Sequence, residues 1–317
     1  MKTIVITTIL TSTLLAASAL GALAQDKGTV ALVLGSSGSP FYQAMQCGAQ
    51  AKAKELGLNL NVSAADQFAA DAQIPVVNAV TAAGPQVAAI VPTDMQALLP
   101  PMRELSDRGT KVITVDQTIA DAGFLKTQIL TDNEAGGALA ADQLAALVGK
   151  TGKVLVITQP PGSLAQDARA SGFEKALATK YPNITYLGAQ YQSNDPQRAA
   201  EIVTSTLSAH PDLAGIFSTN DQGAIGAITG LRQAGVVGKV KMVAYDAASA
   251  EVAALKNGEI QALIAQNPKL EGEVAMDVAA RLIAGEAVKP ITMTEIVAIT
   301  GDHPEKADQY EYVANCM

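Results

Sequence analysis

The chain has 317 residues, a formal charge of −8, 49% apolar residues and only 4% aromatic ones. A single core stops growing near that length, so two domains are expected. An acidic chain with no cluster of Lys or Arg lacks the electrostatic footprint that nucleic acid or an anionic membrane surface requires, which excludes nucleic acid as a partner.

The chain begins Met1-Lys2, runs through apolar residues broken only by Thr, Ser and Gly as far as Leu23, and then offers Ala22-Leu23-Ala24 before Gln25-Asp26. One positive charge, an apolar middle and a small-x-small site predict a secretory signal over residues 1–24, cut after Ala24. An uncleaved anchor helix is the other reading, disfavoured because the run is short and no stop-transfer charges follow it. The mature protein is therefore expected to be soluble and exported, in a compartment where disulfides persist. The two cysteines, Cys47 and Cys316, are expected to pair there and tie the C-terminal tail to the first helix; a pair of free thiols is the alternative.

From Thr29 onward short apolar runs alternate with longer amphipathic ones, the pattern of βαβ units around a buried parallel sheet. In the first half, strands are expected at 30–34, 58–63, 87–91 and 111–115, with helices at 40–56, 70–83 and 95–108. A second series repeats the scheme, with strands at 153–158, 185–190, 215–218, 241–244 and 260–265. Its helices are expected at 134–148, 168–179, 196–210, 222–234 and 248–257. Gly57, Gly109, Gly149 and Gly235 fall just past helical runs, where a left-handed residue ends a helix. The boundary between the halves falls in Leu130-Thr-Asp-Asn133. A helix at 269–284 then leads into an irregular tail expected to cross between the halves again, and several linkers favour hinge bending.

Two stretches share one form: Lys111-Val-Ile-Thr-Val-Asp-Gln117 and Lys241-Met-Val-Ala-Tyr-Asp-Ala247 are apolar strands that stop on an acid. Ligands of open α/β sheets lie outside the carboxyl ends of strands, so Asp116 and Asp246 point to a polar solute held between two halves. Each ionised carboxylate can accept from two hydroxyls; a helix cap or loop acid is the structural alternative for either one. The first strand delivers Gly35-Ser-Ser-Gly-Ser-Pro-Phe-Tyr42, in which Ser39 as a cap and Pro40 at the first helical position account for part of the pattern. Phe41 and Tyr42 are left to pack in the core or to offer flat faces to the C–H surface of a sugar ring. Asn220 and Gln266, at two further strand ends, can each donate and accept, whereas Asp221 reads as a helix cap. Arg169 stands near a helix start against the dipole and needs a compensating ligand oxygen or acid.

Catalytic constellations are missing. His210 and His303 lie in turn contexts with no neighbouring nucleophile, and there is no Walker A loop, no Gly-x-Gly-x-x-Gly after the first strand and no Cys/His metal spacing, so no cofactor is expected. A secreted sugar-processing enzyme using the Asp116 and Asp246 pair stays open as a second reading.

Ser39-Pro-Phe-Tyr42, Arg169-Ala-Ser-Gly-Phe173, Asn220-Asp221 after an Ile-Phe strand, Tyr245-Asp246 after a Met-Val strand, and Ile264-Ala-Gln-Asn-Pro268 occur in one order. In this the chain, from about Thr29 to Glu295, resembles the ribose-binding group of periplasmic solute-binding proteins, the recognition subunits of ABC sugar importers. The resemblance implies an α/β fold of two Rossmann-like lobes with parallel-sheet cores, joined by a three-segment hinge. Residues 25–130 plus 267–296 would form the first lobe and 131–266 plus 297–317 the second. A sugar or polyol would bind in the cleft, with ABC permease subunits, and in some systems a chemoreceptor, reading the closed form. By resemblance the first lobe would supply Ser39, Phe41, Tyr42, Asp116 and Gln117, the second Arg169, Asn220 and Asp246, and the hinge strand Gln266. The chain departs from the ribose-binding pattern at Gln117, where those proteins carry Arg, and at Asn194-Asp195, where they place a third aromatic, with Tyr191 three residues earlier as its substitute. These departures leave the particular sugar open. Asp167 is a further acid near Arg169, either its partner or a feature that favours an amino group on the ligand.

Overall fold

A computed structural model of the protein describes residues 28–312 and Cys316. The expected export signal and its cleavage point lie outside these residues. The first sheet has the order β11-β5-β4-β3-β1-β2 and is parallel throughout. It is built from β1 (Thr29–Leu34), β2 (Asn59–Ala64), β3 (Val87–Ile90), β4 (Lys111–Val115), β5 (Gln128–Thr131) and β11 (Ile291–Thr294). Strand β3 is buried at every position, because α1 (Pro40–Leu56) and α9 (Pro268–Ile283) cover one face and α2 (Ala70–Ala83) and α3 (Leu99–Asp107) the other.

The second sheet repeats the order as β12-β10-β9-β8-β6-β7. Its strands are β6 (Gly152–Thr158), β7 (Ile184–Tyr191), β8 (Leu213–Ser218), β9 (Lys241–Tyr245), β10 (Ala262–Ala265) and the antiparallel edge strand β12 (Val297–Thr300). Around it lie α4 (Asn133–Leu147), α5 (Leu164–Lys180), α6 (Pro196–Ala209), α7 (Asp221–Ala234) and α8 (Ser249–Lys256). In both sheets the first strand of the series sits between the second and third, so the winding reverses beside it and leaves a crevice at the carboxyl edge.

The two lobes use the same helix pairing. Helix α9 lies so close on α1 that a Cβ at Gly48 would collide with the Lys269 carbonyl and one at Gly272 with that of Met45. Helix α4 lies on α5 in the same way, Gly137 against the Arg169 carbonyl and Gly172 against that of Glu134. Glycine permits this backbone approach, and any larger residue forces the pair apart.

The structure adds three strands that the sequence reading left out, β5, β11 and β12. Each has only four residues, too short for a period to show, and β5 and β11 are only half apolar. Helix α3 starts at Leu99 rather than at residue 95, because Asp94 Oδ1 first accepts from the amides of Gln96 and Ala97 and closes a turn. Helix α5 starts at Leu164, four residues before the expected 168.

The chain passes between the lobes after β5, after β10 and between β11 and β12. Glu271 on α9 binds two of these passages together, its Oε1 accepting from the Thr131 hydroxyl at 2.9 Å and the Thr294 hydroxyl at 3.0 Å. Beyond β12 the tail makes a 3-10 turn, Pro304–Gln309, beside α8, and Tyr312 pairs with Ala248. Cys47 and Cys316 form a disulfide, with Cα atoms 4.7 Å apart. The end of the chain is thereby bonded to α1 of the first lobe, although the tail up to Tyr312 packs on the second.

Candidate functional site

The carboxyl ends of β1, β4, β6, β8, β9 and β10 face one another across the crevice and enclose an inner chamber. The first lobe lines it with Ser39, Phe41, Tyr42, Phe68, Asp116 and Gln117. The second supplies Gln159, Gln166, Arg169, Asn194, Asn220, Asp221 and Asp246, and Gln266 comes from the passage after β10. Its volume is 30 Å³, room for about two waters. A wider mouth of 780 Å³ adjoins it, shared between the lobes and lined by Phe68, Asp94, Gln159 and Asn194 among others.

Asp116 and Asp246 each follow the fourth strand of their series, with φ of 62° and 91°. At Asp116 the Gln117 amide donates to the Val115 carbonyl at 2.6 Å, closing a strained γ-turn that turns the carboxylate into the chamber. Its Oδ2 accepts from the Tyr42 hydroxyl at 3.3 Å. Burial raises the Asp116 carboxyl to about 7, Arg169 opposing the shift and Asp246 adding to it. Asp246 is held far more completely. Its Oδ1 accepts from Gln266 Nε2 at 2.7 Å and the Tyr312 hydroxyl at 2.9 Å, and its Oδ2 from the Asp221 amide at 3.1 Å.

Arg169 is 2% exposed and stacks on the Tyr245 ring, 3.8 Å from its centroid. Its Nε donates to Asn133 Oδ1 at 2.7 Å and its Nη1 to the Thr219 carbonyl at 2.8 Å. Asp167, which the sequence offered either as its partner or as a contact for a ligand amino group, instead accepts from the Gly162 amide at 3.0 Å, because the early start of α5 turns that acid toward the preceding loop.

Ser39 occupies the cap position of α1, but its side chain makes no cap bond. Tyr42 stacks parallel to Phe68 at 6.2 Å, and Phe41 meets Tyr42 edge-on at 5.2 Å. Asn220, and not Asp221, caps α7, its Oδ1 accepting from the Gly223 amide at 3.0 Å and from Gln192 Nε2 at 3.0 Å. Its Nδ2 donates to Asn194 Oδ1, which also accepts from Gln159 Nε2 at 2.9 Å. Asp221 lines the chamber, and burial, reinforced by Asp246, raises it to about 7. The side-chain oxygen Oε1 of Gln266 is buried with no donor beside it.

Gln117 turns to the opposite lobe. Its Oε1 accepts from the Ser163 hydroxyl and the Ala165 amide, each at 3.1 Å, and so supplies the cap that Ser163 does not give α5. Tyr191 is 46% exposed at the end of the edge strand β7 and stands outside the chamber. The ring expected there comes instead from Phe68, in the loop after β2. Sequence reasoning missed Phe68, Gln159, Gln166 and the carboxylate of Asp221. Phe68 had a readable signal, since it is one of five phenylalanines and follows a strand.

A periplasmic binding protein domain matches residues 30–287. The chain belongs to the periplasmic binding protein family. Among its relatives is the ribose import binding protein of Salmonella typhimurium, 32% identical over 282 residues, 88% of this chain and 94% of that one. The D-ribose/D-allose-binding protein of Pseudomonas aeruginosa is 28% identical over 87% of this chain and 88% of its own. An ABC transporter solute-binding protein of Agrobacterium vitis, solved with α-D-tagatopyranose, is 34% identical with a TM-score of 0.87, covering 90% of this chain and 99% of that one. The two sheets with their linking passages are thus the type I periplasmic binding protein fold.

Proposed function

We propose that this periplasmic binding protein is the solute-binding subunit of an ABC importer and captures a monosaccharide or polyol of the pentose or hexose class in the inner chamber. One observation carries this reading: buried acceptors from the first lobe and from the hinge, Asp116 and Gln266 Oε1, converge on a chamber flanked by aromatic rings. A polyhydroxy ligand supplies the missing donors and an apolar C–H face, and a hydroxyl left unmatched there leaves buried polar groups unpaired. The relatives named for ribose and allose, and the structure holding tagatose, support that ligand class.

A chamber of 30 Å³ cannot admit a sugar while the lobes stay as they are. Access requires the lobes to part at the hinge, breaking the bond from the Met95 amide to the Gly162 carbonyl and those between Gln117 and α5. A ligand that touches both lobes then draws them together around itself, which is how differential affinity favours the closed form. The closed form is what the permease, and in a further role a chemoreceptor, would read.

Binding without turnover suits the acid pair. Asp246 has both oxygens held by protein donors, which leaves it poorly placed as a nucleophile or proton carrier. The test is a thermal-shift screen over D-ribose, D-allose, D-tagatose, xylitol and glucosamine, because a tight ligand raises the melting temperature by mass action. Stabilisation by at least one, with the sugar recovered unchanged, is expected; no stabilisation by any of them would remove the reading. The same reading places the protein in the periplasm, cut after Ala24, which the mass of the exported protein checks.

A further inference from the structure

Tyr312 lies 66 residues beyond Asp246, in a tail past residue 287, where the family match ends. It is 3% exposed and stands behind the chamber wall, touching two residues that line it, one from each lobe. Its hydroxyl donates to Asp246 Oδ1 at 2.9 Å, and its ring meets Phe41 edge-on with centroids 5.6 Å apart. Four residues later Cys316 is bonded to Cys47, which lies on α1 six residues after Phe41.

This segment is fastened at both ends. On the second lobe, the Tyr312 amide donates to the Ala247 carbonyl at 3.0 Å and Lys256 pairs with Asp308 at the surface. An exposed ion pair contributes little, and a chain terminus frays unless it is tied down. The covalent attachment to α1 is therefore the strong one.

We propose that residues 303–312 form a strap that belongs to the binding site: Tyr312 is a positioning residue for Asp246, and the Cys47–Cys316 bridge keeps it seated. Asp246 Oδ1 has two donors, Gln266 Nε2 and the Tyr312 hydroxyl. With Tyr312 gone, Gln266 alone holds that oxygen, the carboxylate gains rotational freedom, and the back of Phe41 is uncovered. Ligand affinity then depends on the redox state of a bond outside the chamber. The affinity arm of this inference rests on the sugar-binding reading; the positioning arm does not.

Tyr312→Phe keeps the ring and removes only the hydroxyl. Calorimetry with the tightest-binding sugar of the screen should show affinity weaker by on the order of tenfold, the scale of one hydrogen bond to a carboxylate. The Cys47→Ser/Cys316→Ser double variant should lose at least as much. Adding Tyr312→Phe to that double variant should lose nothing more, because a bridge acting through Tyr312 makes the two effects non-additive. Hydrogen exchange of the Asp221 amide, the donor to Asp246 Oδ2, should quicken in every variant while amides of β1 and β3 keep their rates. Additive losses, or unaltered affinity in Tyr312→Phe, or unaltered exchange at Asp221, overturn the proposal. Quickened exchange supports it even when no sugar of the screen binds the unmodified protein, a result that removes the sugar reading instead.

Discussion

Asp116 and Asp246 stand at matching strand ends of the two lobes, yet the protein treats them in opposite ways. Asp246 is surrounded by three donors from the hinge, the tail and the start of α7. Asp116 has only the Tyr42 hydroxyl and the Gln117 side chain beside it, and burial lifts its carboxyl to about 7. The second lobe thus offers a finished wall, its carboxylate oriented by the protein alone, whereas the first offers an acid that the proposed ligand would complete. Equal positions in a duplicated architecture do not give equal roles; the surrounding donors decide them.

The largest blow to this contrast is Asp246→Ala. Three buried donors lose their acceptor, at about 1–3 kcal/mol each, so the ligand-free protein should melt well below the unmodified one and sugar binding should vanish in calorimetry. Asp116→Asn should separate the two properties. Binding should weaken by about a hundredfold, the worth of charge-assisted bonds to sugar hydroxyls, while the ligand-free protein melts no lower at pH 8. A parallel fall in melting temperature would erase the distinction between the two acids.

The pH dependence comes next in size. Burial raises Asp116 and Asp221 to about 7 and Glu271 to about 8, so the folded protein keeps protons that the unfolded chain releases near pH 4. That contribution to stability is whole below pH 4 and is lost as pH rises through 7 to 8; the ligand-free melting temperature should therefore fall between pH 5 and pH 8.5. On the proposed reading sugar hydroxyls donate to the ionised Asp116, so binding would release a proton and affinity should run the other way, about tenfold weaker at pH 6 than at pH 8. Asp116→Asn should flatten the affinity profile. The smallest effect is expected from Gln117→Ala, which removes the cross-lobe cap of α5; affinity should drop about fivefold, the worth of a cap near 1 kcal/mol, with the rate of sugar release raised in stopped-flow measurements.

Much of the architecture was legible because its central strands are apolar runs buried on both faces and its helices are long enough to show a period. Strand β5, with one of its four residues apolar on each face, and the edge strands β11 and β12 carried no such signal. In the chamber, Asp116, Asp246 and Gln266 were readable from their places at strand ends. The direction of a side chain was not: Gln117 caps a helix of the other lobe, and Tyr191 follows the outer face of β7 away from the cleft. Nor was Tyr312, because a contact across 66 residues leaves no local pattern. Asp221 was hidden by a true rule applied one residue too far, since its neighbour Asn220 is the cap.

Helix α9 and strand β11 are made late but finish the lobe that is begun first, lying against α1 and beside β5 across more than a hundred intervening residues. During synthesis the leading half therefore stays without one of its covering helices until residues 268–294 have emerged. Contacts of such sequence separation form late, so the lobe that is begun first is the one that can be completed only after the other has been made.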